Sequence, residues 1–327
     1  MDKRTVCDMI LTDEGYEEAI KTVVEPYLAE RMTTGYCERE KGNRIFYARC
    51  LADCPQGIMI ISHGYTETVE KYLENIYYFL RAGYHVFMPE HCGHGHSYRM
   101  CSNTKDLSLV HVDSYERYVK DLLFVSRMAA KEFPQLPISL FGHSMGGGIA
   151  IAAAAHAPQF FSRLILSSPM IRPNSDPVPW PLACLIAKVF CVTGKSEQYV
   201  MGHRPYDAQE QFADSTAVSV ARFNYYLKKR KEEPLFQMNA ASYGWLLQTV
   251  RLNHYLQQKA WREITCPVLV FQAELETYVS NKEQERFVRK LCHRRKWNAK
   301  LVKVQGVKHE IFNSEAEVLK RFWQKVL

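Results

Sequence analysis

The sequence lacks any long hydrophobic run. Nowhere among its 327 residues do about 18 apolar residues follow one another, which is the length that a helix needs to span a bilayer. The opening residues, Met1 to Thr5, lead into an acidic segment without the apolar stretch of a signal peptide. We therefore expect no membrane-spanning helix and no export signal. We predict a cytoplasmic protein and leave open a peripheral contact with the inner membrane surface.

Paired cysteine motifs are also missing. The ten cysteines are scattered and form no Cys-x-x-Cys pair, a spacing common in metal and redox sites. In a chain without an export signal, we interpret them as reduced thiols. Hydrophobic residues make up 47% and charged residues 24% of the chain, as in ordinary globular proteins. The length suits one large core with an inserted subdomain better than two independent domains.

Charge of one sign is only modestly in excess, because the formal net charge is +7. Two basic stretches, at residues 228–231 and 286–300, lack the interleaved aromatic pattern of a nucleic-acid stacking platform. We therefore expect no nucleic-acid partner and interpret both stretches as solvated surface. Attraction to anionic lipid head groups is the alternative.

Short apolar runs alternate with helical patterns along most of the chain. The predicted strands lie at residues 58–61, 85–88, 138–141, 164–166, 268–271 and 301–304, after a hairpin at 36–51. The predicted helices lie at residues 14–31, 69–82, 115–133, 148–156, 282–291 and 315–326. Pro26 is expected to kink or divide the first helix. Continuous apolar strands between helices predict an α/β fold with a parallel sheet covered on both faces.

This alternation stops between the fourth and fifth of those strands. Residues 171–263 read as helical and irregular, and their first part carries prolines at 173, 177, 179 and 181. The later strands need the same sheet as the earlier ones. We therefore predict one core, formed by residues 1–170 and 264–327, that is interrupted by a helical insertion at 171–263.

A Gly-x-Ser-x-Gly pentapeptide, centred on Ser144, directly follows the apolar strand at 138–141. A helix follows the motif, so the serine lies on the tight strand-to-helix turn that lifts a hydroxyl above the sheet edge. Such a hydroxyl needs a base, and the order of the partners along the chain is serine, acid, histidine. Among twelve histidines, His309 follows the final strand and is the predicted base.

The acid should follow the preceding strand, where no aspartate is present but Glu274 and Glu276 compete. We favour Glu276 because it lies further into the loop, where the base can be met. A tetrahedral intermediate also needs two N–H donors for its oxyanion. The predicted donors are the backbone N–H groups of Met145, next to the serine, and of Tyr65, in the turn after the strand at 58–61.

The segment 90–96 contains three histidines, a cysteine and a glutamate, which suggests a metal site. No second cluster follows at the spacing typical of zinc sites. We therefore interpret the segment as a structural loop at the carboxyl edge of the sheet and expect neither a metal nor an organic cofactor.

Together these motifs resemble the α/β-hydrolase superfamily, and within it the bacterial lysophospholipase and monoacylglycerol lipase group. The likeness covers nearly the whole chain and is carried by four segments. They are His63-Gly64-Tyr65, the loop 89–97, the turn 142–147 and Ser167-Ser168-Pro169-Met170. A further segment, Ser242-Tyr243-Gly244-Trp245, resembles lids of lysophospholipase-like proteins. The chain departs from the pattern at three positions: Glu276 and Glu90 stand where relatives carry Asp, and Cys92 stands where they carry Arg.

The resemblance implies an α/β-hydrolase fold with eight mostly parallel strands, helices on both faces and an inserted helical lid over the nucleophile. The apolar segment 180–190 would then pack onto the core, line an acyl chain or face lipid. We predict a serine hydrolase that cleaves fatty acyl esters, lysophospholipid or monoacylglycerol, through an acyl-enzyme. The alternatives are a carboxylesterase or acyltransferase acting on another small ester, and a non-catalytic binding protein. The sequence leaves the oligomeric state open.

Overall fold

The computed structural model describes residues 8–103, 105–294 and 299–327. Its strands, in chain order, are β1 (Met32–Glu40), β2 (Asn43–Cys50), β3 (Gly57–Ser62), β4 (Tyr84–Pro89), β5 (Leu109–Val110), β6 (Ile138–His143), β7 (Arg163–Ser167), β8 (Ala240–Ala241), β9 (Val268–Ala273) and β10 (Ala299–Val304). Eight of them form one sheet in the order β1-β2-β4-β3-β6-β7-β9-β10. Among the described strands of this sheet, only the pairs β1–β2 and β2–β4 are antiparallel. The predicted mostly parallel eight-stranded sheet is therefore confirmed.

The helices are α1 (Tyr16–Ala19), α2 (Glu25–Ala29), α3 (Leu73–Arg81), α4 (Tyr115–Glu132), α5 (Ser144–His156), α6 (Trp180–Val192), α7 (Val220–Glu232), α8 (Tyr243–Tyr255), α9 (Trp261–Glu263), α10 (Asn281–Arg294) and α11 (Ala316–Val326). Because side chains alternate along a strand, β3 contributes to two cores. Ile58 and Ile60 pack with α4 and α5 on one face. Met59 and Ile61 pack with α3 and α11 on the other. Helices therefore cover both faces of the sheet, as expected for apolar strands.

Pro26 does divide the first predicted helix. A π-helical turn, Ile20–Val24, separates α1 from α2, and the proline lies at the start of α2. Proline lacks an N–H donor and clashes with the preceding turn, so the wider turn accommodates it. The predicted hairpin forms with a longer first strand than expected, and Gly42 supplies the left-handed backbone of its turn, at φ 84°.

The segment 171–263 contains the helices α6 to α9 and the short strand β8, and it connects β7 to β9. Helix α6 packs on α8, where the Phe190 and Tyr243 rings stack with 3.9 Å between centroids. Strands β5 and β8, which were not predicted, pair in parallel and join the segment to the core. A two-residue strand is too short to show an alternating pattern. Among the described residues, no helix is long and apolar enough to cross a membrane.

The basic stretch 228–231 is predicted to be solvated surface, but three of its four residues form ion pairs, including an exposed one between Lys228 and Glu17 at 3.7 Å. Lys229 contacts Glu25 and Glu70, at 3.0 and 2.7 Å, and Arg230 pairs with Glu210. These contacts hold α7 against the first helices and against the insertion itself. In the second stretch, Arg295 and Lys296 lie outside the described residues.

Candidate active site

Ser144 lies on the turn between β6 and α5, with a left-handed backbone at φ 50°. Glycines around it permit the crossing of helix and sheet. A Cβ on Gly146 would overlap the carbonyl oxygens of Ser62 and His63, and one on Gly147 would lie 2.8 Å from the Pro169 Cβ. A contact that close to backbone cannot be relieved by rotating a side chain. The close packing therefore explains why glycines occupy positions 146 and 147.

The structure brings Ser144, His309 and Glu276 together. His309 lies in the loop after β10, and its Nε2 is 2.7 Å from the Ser144 Oγ. Its Nδ1 is 2.7 Å from the Glu276 Oε2. A neutral imidazole in this arrangement donates its Nδ1–H to the carboxylate and accepts the serine hydroxyl proton at Nε2. All three side chains are buried, so water competes little for these hydrogen bonds.

Glu276 is held by more than the histidine. Its Oε1 accepts the backbone N–H groups of Tyr278 and Val279, at 2.8 and 3.2 Å. Burial opposes ionisation, but the hydrogen bond from His309 and these two N–H groups keep the pKa of Glu276 below its usual value. The competing Glu274 instead accepts the Gly306 N–H at 2.8 Å, at the exposed end of the sheet. Glu276 therefore reaches His309 from a loop whose own backbone N–H groups bind the Glu276 carboxylate.

In the turn after β3, the backbone N–H and carbonyl groups of Gly64 are both held by hydrogen bonds. The His91 N–H donates to His63 Nε2 at 2.8 Å, so the ring proton is at Nδ1 and donates to the Gly64 carbonyl, also at 2.8 Å. The Gly64 N–H donates to Glu67 at 2.6 Å. Because a trans peptide is planar, holding the Gly64 carbonyl also sets the direction of the Tyr65 N–H. The Met145 N–H lies in the first turn of α5, where a helix has no internal acceptor.

The histidine-rich segment 90–96 forms a hydrogen-bonded loop. Glu90 accepts the backbone N–H groups of Val69 and His96, at 3.0 and 2.7 Å, and the His94 Nδ1 bonds the Cys92 carbonyl at 3.0 Å. Burial lowers the pKa of His94, which favours its neutral form. Among the described residues, no three His, Cys, Asp or Glu side chains are grouped as metal ligands. The contact of Glu90 with Val69 also joins this loop to the segment after the turn at Gly64.

A cavity of about 420 Å³ lies over the predicted catalytic residues and is lined by Ser144, His309, Tyr65 and Tyr278. Much of the remaining wall comes from residues 204–239 of the inserted segment and is mostly polar. A second, apolar space of about 10 Å³ lies beside Met145 and is also lined by Trp245. The serine therefore lies close to both a polar and an apolar environment.

A cluster of buried charges that was not predicted lies at the wall of this cavity. Glu67, Lys71 and Glu310 form two ion pairs, and at most 11% of any of these side chains is exposed. Glu67 and Lys71 are four residues apart, and Glu310 directly follows His309. The sequence offered one indication of this cluster: Glu67 and Lys71 lie four residues apart, just after the motif His63-Gly64-Tyr65. Such spacing usually marks an exposed ion pair on a helix.

Comparison with known proteins decides the family. The model of the family described as Hydrolase_4, serine aminopeptidase, S33, matches residues 53–316, which is most of the chain. The chain belongs to this family. It is therefore a serine hydrolase with the α/β-hydrolase fold, as the resemblance implied.

Relatives with full-length similarity are lipases and lysophospholipases by name. The chain is 27% identical over 279 residues to a monoacylglycerol lipase from Mycolicibacterium smegmatis, covering 85% of this chain and 90% of that one. It is 23% identical over 304 residues to a probable lysophospholipase L2 from Haemophilus influenzae, covering 91% of each. A monoglyceride lipase from Rattus norvegicus is 36% identical, over 37% of this chain and 38% of that one.

Solved structures share the fold at lower identity. A carboxyl esterase from Bacillus coagulans aligns with a TM-score of 0.72 at 17% identity, covering 90% of this chain and 96% of that one. A monoglyceride lipase variant from Saccharomyces cerevisiae aligns with a TM-score of 0.70 at 19% identity, covering 90% and 92%. At such identity the likeness establishes the fold alone.

Proposed function

We propose that this serine hydrolase cleaves carboxylic esters of fatty acids through an acyl intermediate on Ser144. The observation that carries the proposal is the continuous hydrogen-bonded series from Ser144 through His309 to Glu276, with 2.7 Å at each step. A hydroxyl alone is a poor nucleophile, and a base in contact with it is what acyl transfer requires. The sequence motif alone could not establish this distance.

In the proposed reaction, His309 accepts the Ser144 proton at Nε2 as the oxygen attacks the ester carbonyl. Glu276 stabilises the imidazolium that forms, and the N–H groups of Tyr65 and Met145 bind the oxyanion. The tetrahedral intermediate then collapses, and His309 donates its proton to the departing alcohol. Water attacks the acyl-enzyme with His309 again as base, which releases the fatty acid and restores the serine hydroxyl.

The substrate class rests on the relatives and on the two spaces beside the serine. The full-length relatives are named monoacylglycerol lipase and lysophospholipase, and both names describe esters with one acyl chain and a polar alcohol. The cavity wall that residues 204–239 supply consists mostly of polar residues and suits the alcohol. The apolar side chains near Met145, including Trp245 and Leu252, suit the acyl chain, although their space of about 10 Å³ must widen to admit one.

A substrate panel tests this proposal. Purified protein is assayed with a monoacylglycerol, a lysophospholipid, a short-chain aryl ester and an aminoacyl anilide, beside a Ser144→Ala control. The last substrate is included because the family description names an aminopeptidase. We expect release of fatty acid from at least one long-chain ester and loss of that activity in Ser144→Ala. Cleavage of the anilide alone would refute the ester assignment, and retained ester cleavage by Ser144→Ala would refute the nucleophile.

The inserted segment 171–263 is proposed to act as the lid, which would contact a membrane surface. Its residues 204–239 supply much of the cavity wall. On α6 the exposed apolar residues Leu182, Leu185, Val189 and Val192 recur at helical spacing, with exposed fractions of 46–73%. An exposed apolar row on a helix that carries no acidic residue is typical of a lipid-facing surface.

A matched pair of substitutions tests this contact. Val189 on α6 and Val23 near the N-terminus are both 46% exposed, so Val189→Asp and Val23→Asp change charge equally at equally exposed sites. We expect Val189→Asp to reduce sedimentation with vesicles of phosphatidylcholine and phosphatidylglycerol, and Val23→Asp to have little effect. Equal binding by both variants would contradict a lipid-facing α6.

A further inference from the structure

The oxyanion turn and the loop of the catalytic histidine are joined by a series of buried charges. From the turn, the Gly64 N–H donates to Glu67 Oε2 at 2.6 Å. Glu67 Oε1 lies 3.1 Å from the Lys71 Nζ. Lys71 donates in turn to Glu310 Oε1 at 2.5 Å, and Glu310 follows His309 along the chain. These three contacts connect the turn at Gly64 to the loop of His309.

The remaining hydrogen-bonding capacity of the two carboxylates is also used. Glu67 Oε2 accepts the Tyr72 hydroxyl at 2.6 Å. Glu310 accepts the Thr216 hydroxyl and the Asn313 amide, the latter at 2.7 Å. Carboxylates with this many partners stay ionised when buried, because each donor favours the charged form. Accordingly the pKa of Glu67, which burial would raise, is lowered to about 2 by Lys71, by His143 and by the Tyr72 hydrogen bond.

Lys71 is thus one cation shared between two anions. Burial opposes its charge, yet Glu310 and Glu67 raise its pKa above the usual value. Its ammonium has both carboxylates as partners and also lies 5.2 Å from the Tyr226 ring centroid. Removing the ammonium would leave two buried carboxylates beside each other without the cation that they share, a costly arrangement. One carboxylate would take up a proton or the two loops would separate.

We propose that Lys71 is a positioning residue that, through Glu67 and Glu310, holds the Tyr65 N–H in register with the loop of His309. The inference rests on the proposed acyl transfer but assigns a role to a residue that touches none of the reacting atoms. Catalysis by preorganised donors depends on such fixed geometry, since a donor that must reorient during the reaction stabilises the oxyanion less.

A second explanation is that the cluster contacts the alcohol of the substrate directly, since Glu67, Lys71 and Glu310 also line the cavity. The two explanations differ in their dependence on the alcohol. A positioning residue affects every ester equally, because the oxyanion is common to all of them. A residue that binds the alcohol affects only esters whose alcohol can reach it.

The test uses two esters of the same fatty acid, one of glycerol and one of 4-nitrophenol, with Lys71→Met and Lys71→Arg. We expect Lys71→Met to lower kcat about 10- to 100-fold on both esters with a small change in KM, below the loss from removing an oxyanion donor outright. Lys71→Arg should recover most of the activity, because it keeps the charge between the carboxylates. A loss confined to the glycerol ester, or expressed in KM alone, would overturn the positioning role.

Arg39→Met is the matched control for general destabilisation. Arg39 lies on the edge strand β1 and donates to the buried Asp121 on α4 at 2.6 Å. Its loss therefore also leaves a buried carboxylate without its cation but does not touch the site. We expect its thermal unfolding to shift as for Lys71→Met, with kcat unchanged. If both variants lose kcat in parallel with stability, the effect of Lys71 is structural only and the inference fails. Unaltered kcat in Lys71→Met, with Ser144→Ala inactive, would refute the inference and leave the proposed function standing.

Discussion

Replacing Glu276 by glutamine tests how the acid acts on the histidine. Glutamine has nearly the same shape, but only one of its two terminal atoms accepts hydrogen bonds. The Oε1 position faces two backbone donors, the N–H groups of Tyr278 and Val279, so the amide oxygen must occupy it. The NH2 group then faces His309 Nδ1, which has to become an acceptor. The ring proton moves to Nε2, where it faces Ser144 and blocks proton abstraction.

The expected loss follows from this change of tautomer. An acid-to-amide substitution with the same consequence in a serine protease lowers kcat about 10⁴-fold, and a factor of 10⁴ corresponds to about 5.5 kcal/mol in the barrier. We expect a loss near that size here, measured as kcat on a soluble aryl ester, without a large change in unfolding temperature. The two backbone donors fix the orientation of the new amide group. The loss of kcat should therefore exceed the loss at a site where the new amide could rotate and turn its oxygen towards the histidine.

Glu274→Gln is the control, since Glu274 accepts only the Gly306 N–H among the described contacts of its carboxylate. Its amide oxygen can keep that bond, and we expect a change of kcat within about 3-fold, because no reacting group is affected. A Glu276→Gln enzyme within 10-fold of the wild type, or a larger loss in Glu274→Gln, would refute the reasoning.

Three further predictions concern packing and charge. Gly146→Ala should prevent correct folding of the turn between β6 and α5, because the new Cβ meets the Ser62 carbonyl; the unfolding temperature and the rate of serine labelling should both fall, and normal labelling would contradict this. Arg222→Met should destabilise the chain by about 3–5 kcal/mol, because Glu74 loses its bidentate partner; urea unfolding measures this, and adding Glu74→Leu should restore part of the loss. Glu67→Gln should cost most stability above pH 4.5. Because the folded pKa of Glu67 is depressed to about 2, its contribution is lost as pH falls from 4.5 towards 2, so a stability difference that stays constant between pH 6 and 3 would contradict the assignment.

The sheet was predictable because its signals are local. Each inner strand contains a short apolar run, and in β3 and β6 every residue is buried. Ser144 was equally easy to predict from the sequence, because the turn that it occupies restricts the types of the neighbouring residues. Glu276 could be favoured over Glu274 by its place in the loop, but Glu276 and His309 are 33 positions apart, so their contact depends on how the chain between them folds.

The missed features depend on long-range pairing. Lys71 and Glu310 are 239 residues apart, and nothing in either local sequence indicates that one is the partner of the other. The β5–β8 pair likewise joins Leu109–Val110 to Ala240–Ala241, two segments without a strand pattern. Lys229 was read as part of a solvated basic face because its partners, Glu25 and Glu70, are distant along the chain. Composition indicates that such charges exist, while only the fold brings them together.

The claim on which the rest depends is that Ser144 is a nucleophile activated by His309. Intact-protein mass spectrometry after treatment with a fluorophosphonate, followed by peptide mapping, measures this directly. The account predicts one adduct, on the peptide that contains Ser144, with its formation abolished in Ser144→Ala and slowed by orders of magnitude in His309→Ala. An adduct on another residue, or labelling of Ser144 at an unchanged rate without His309, would contradict it.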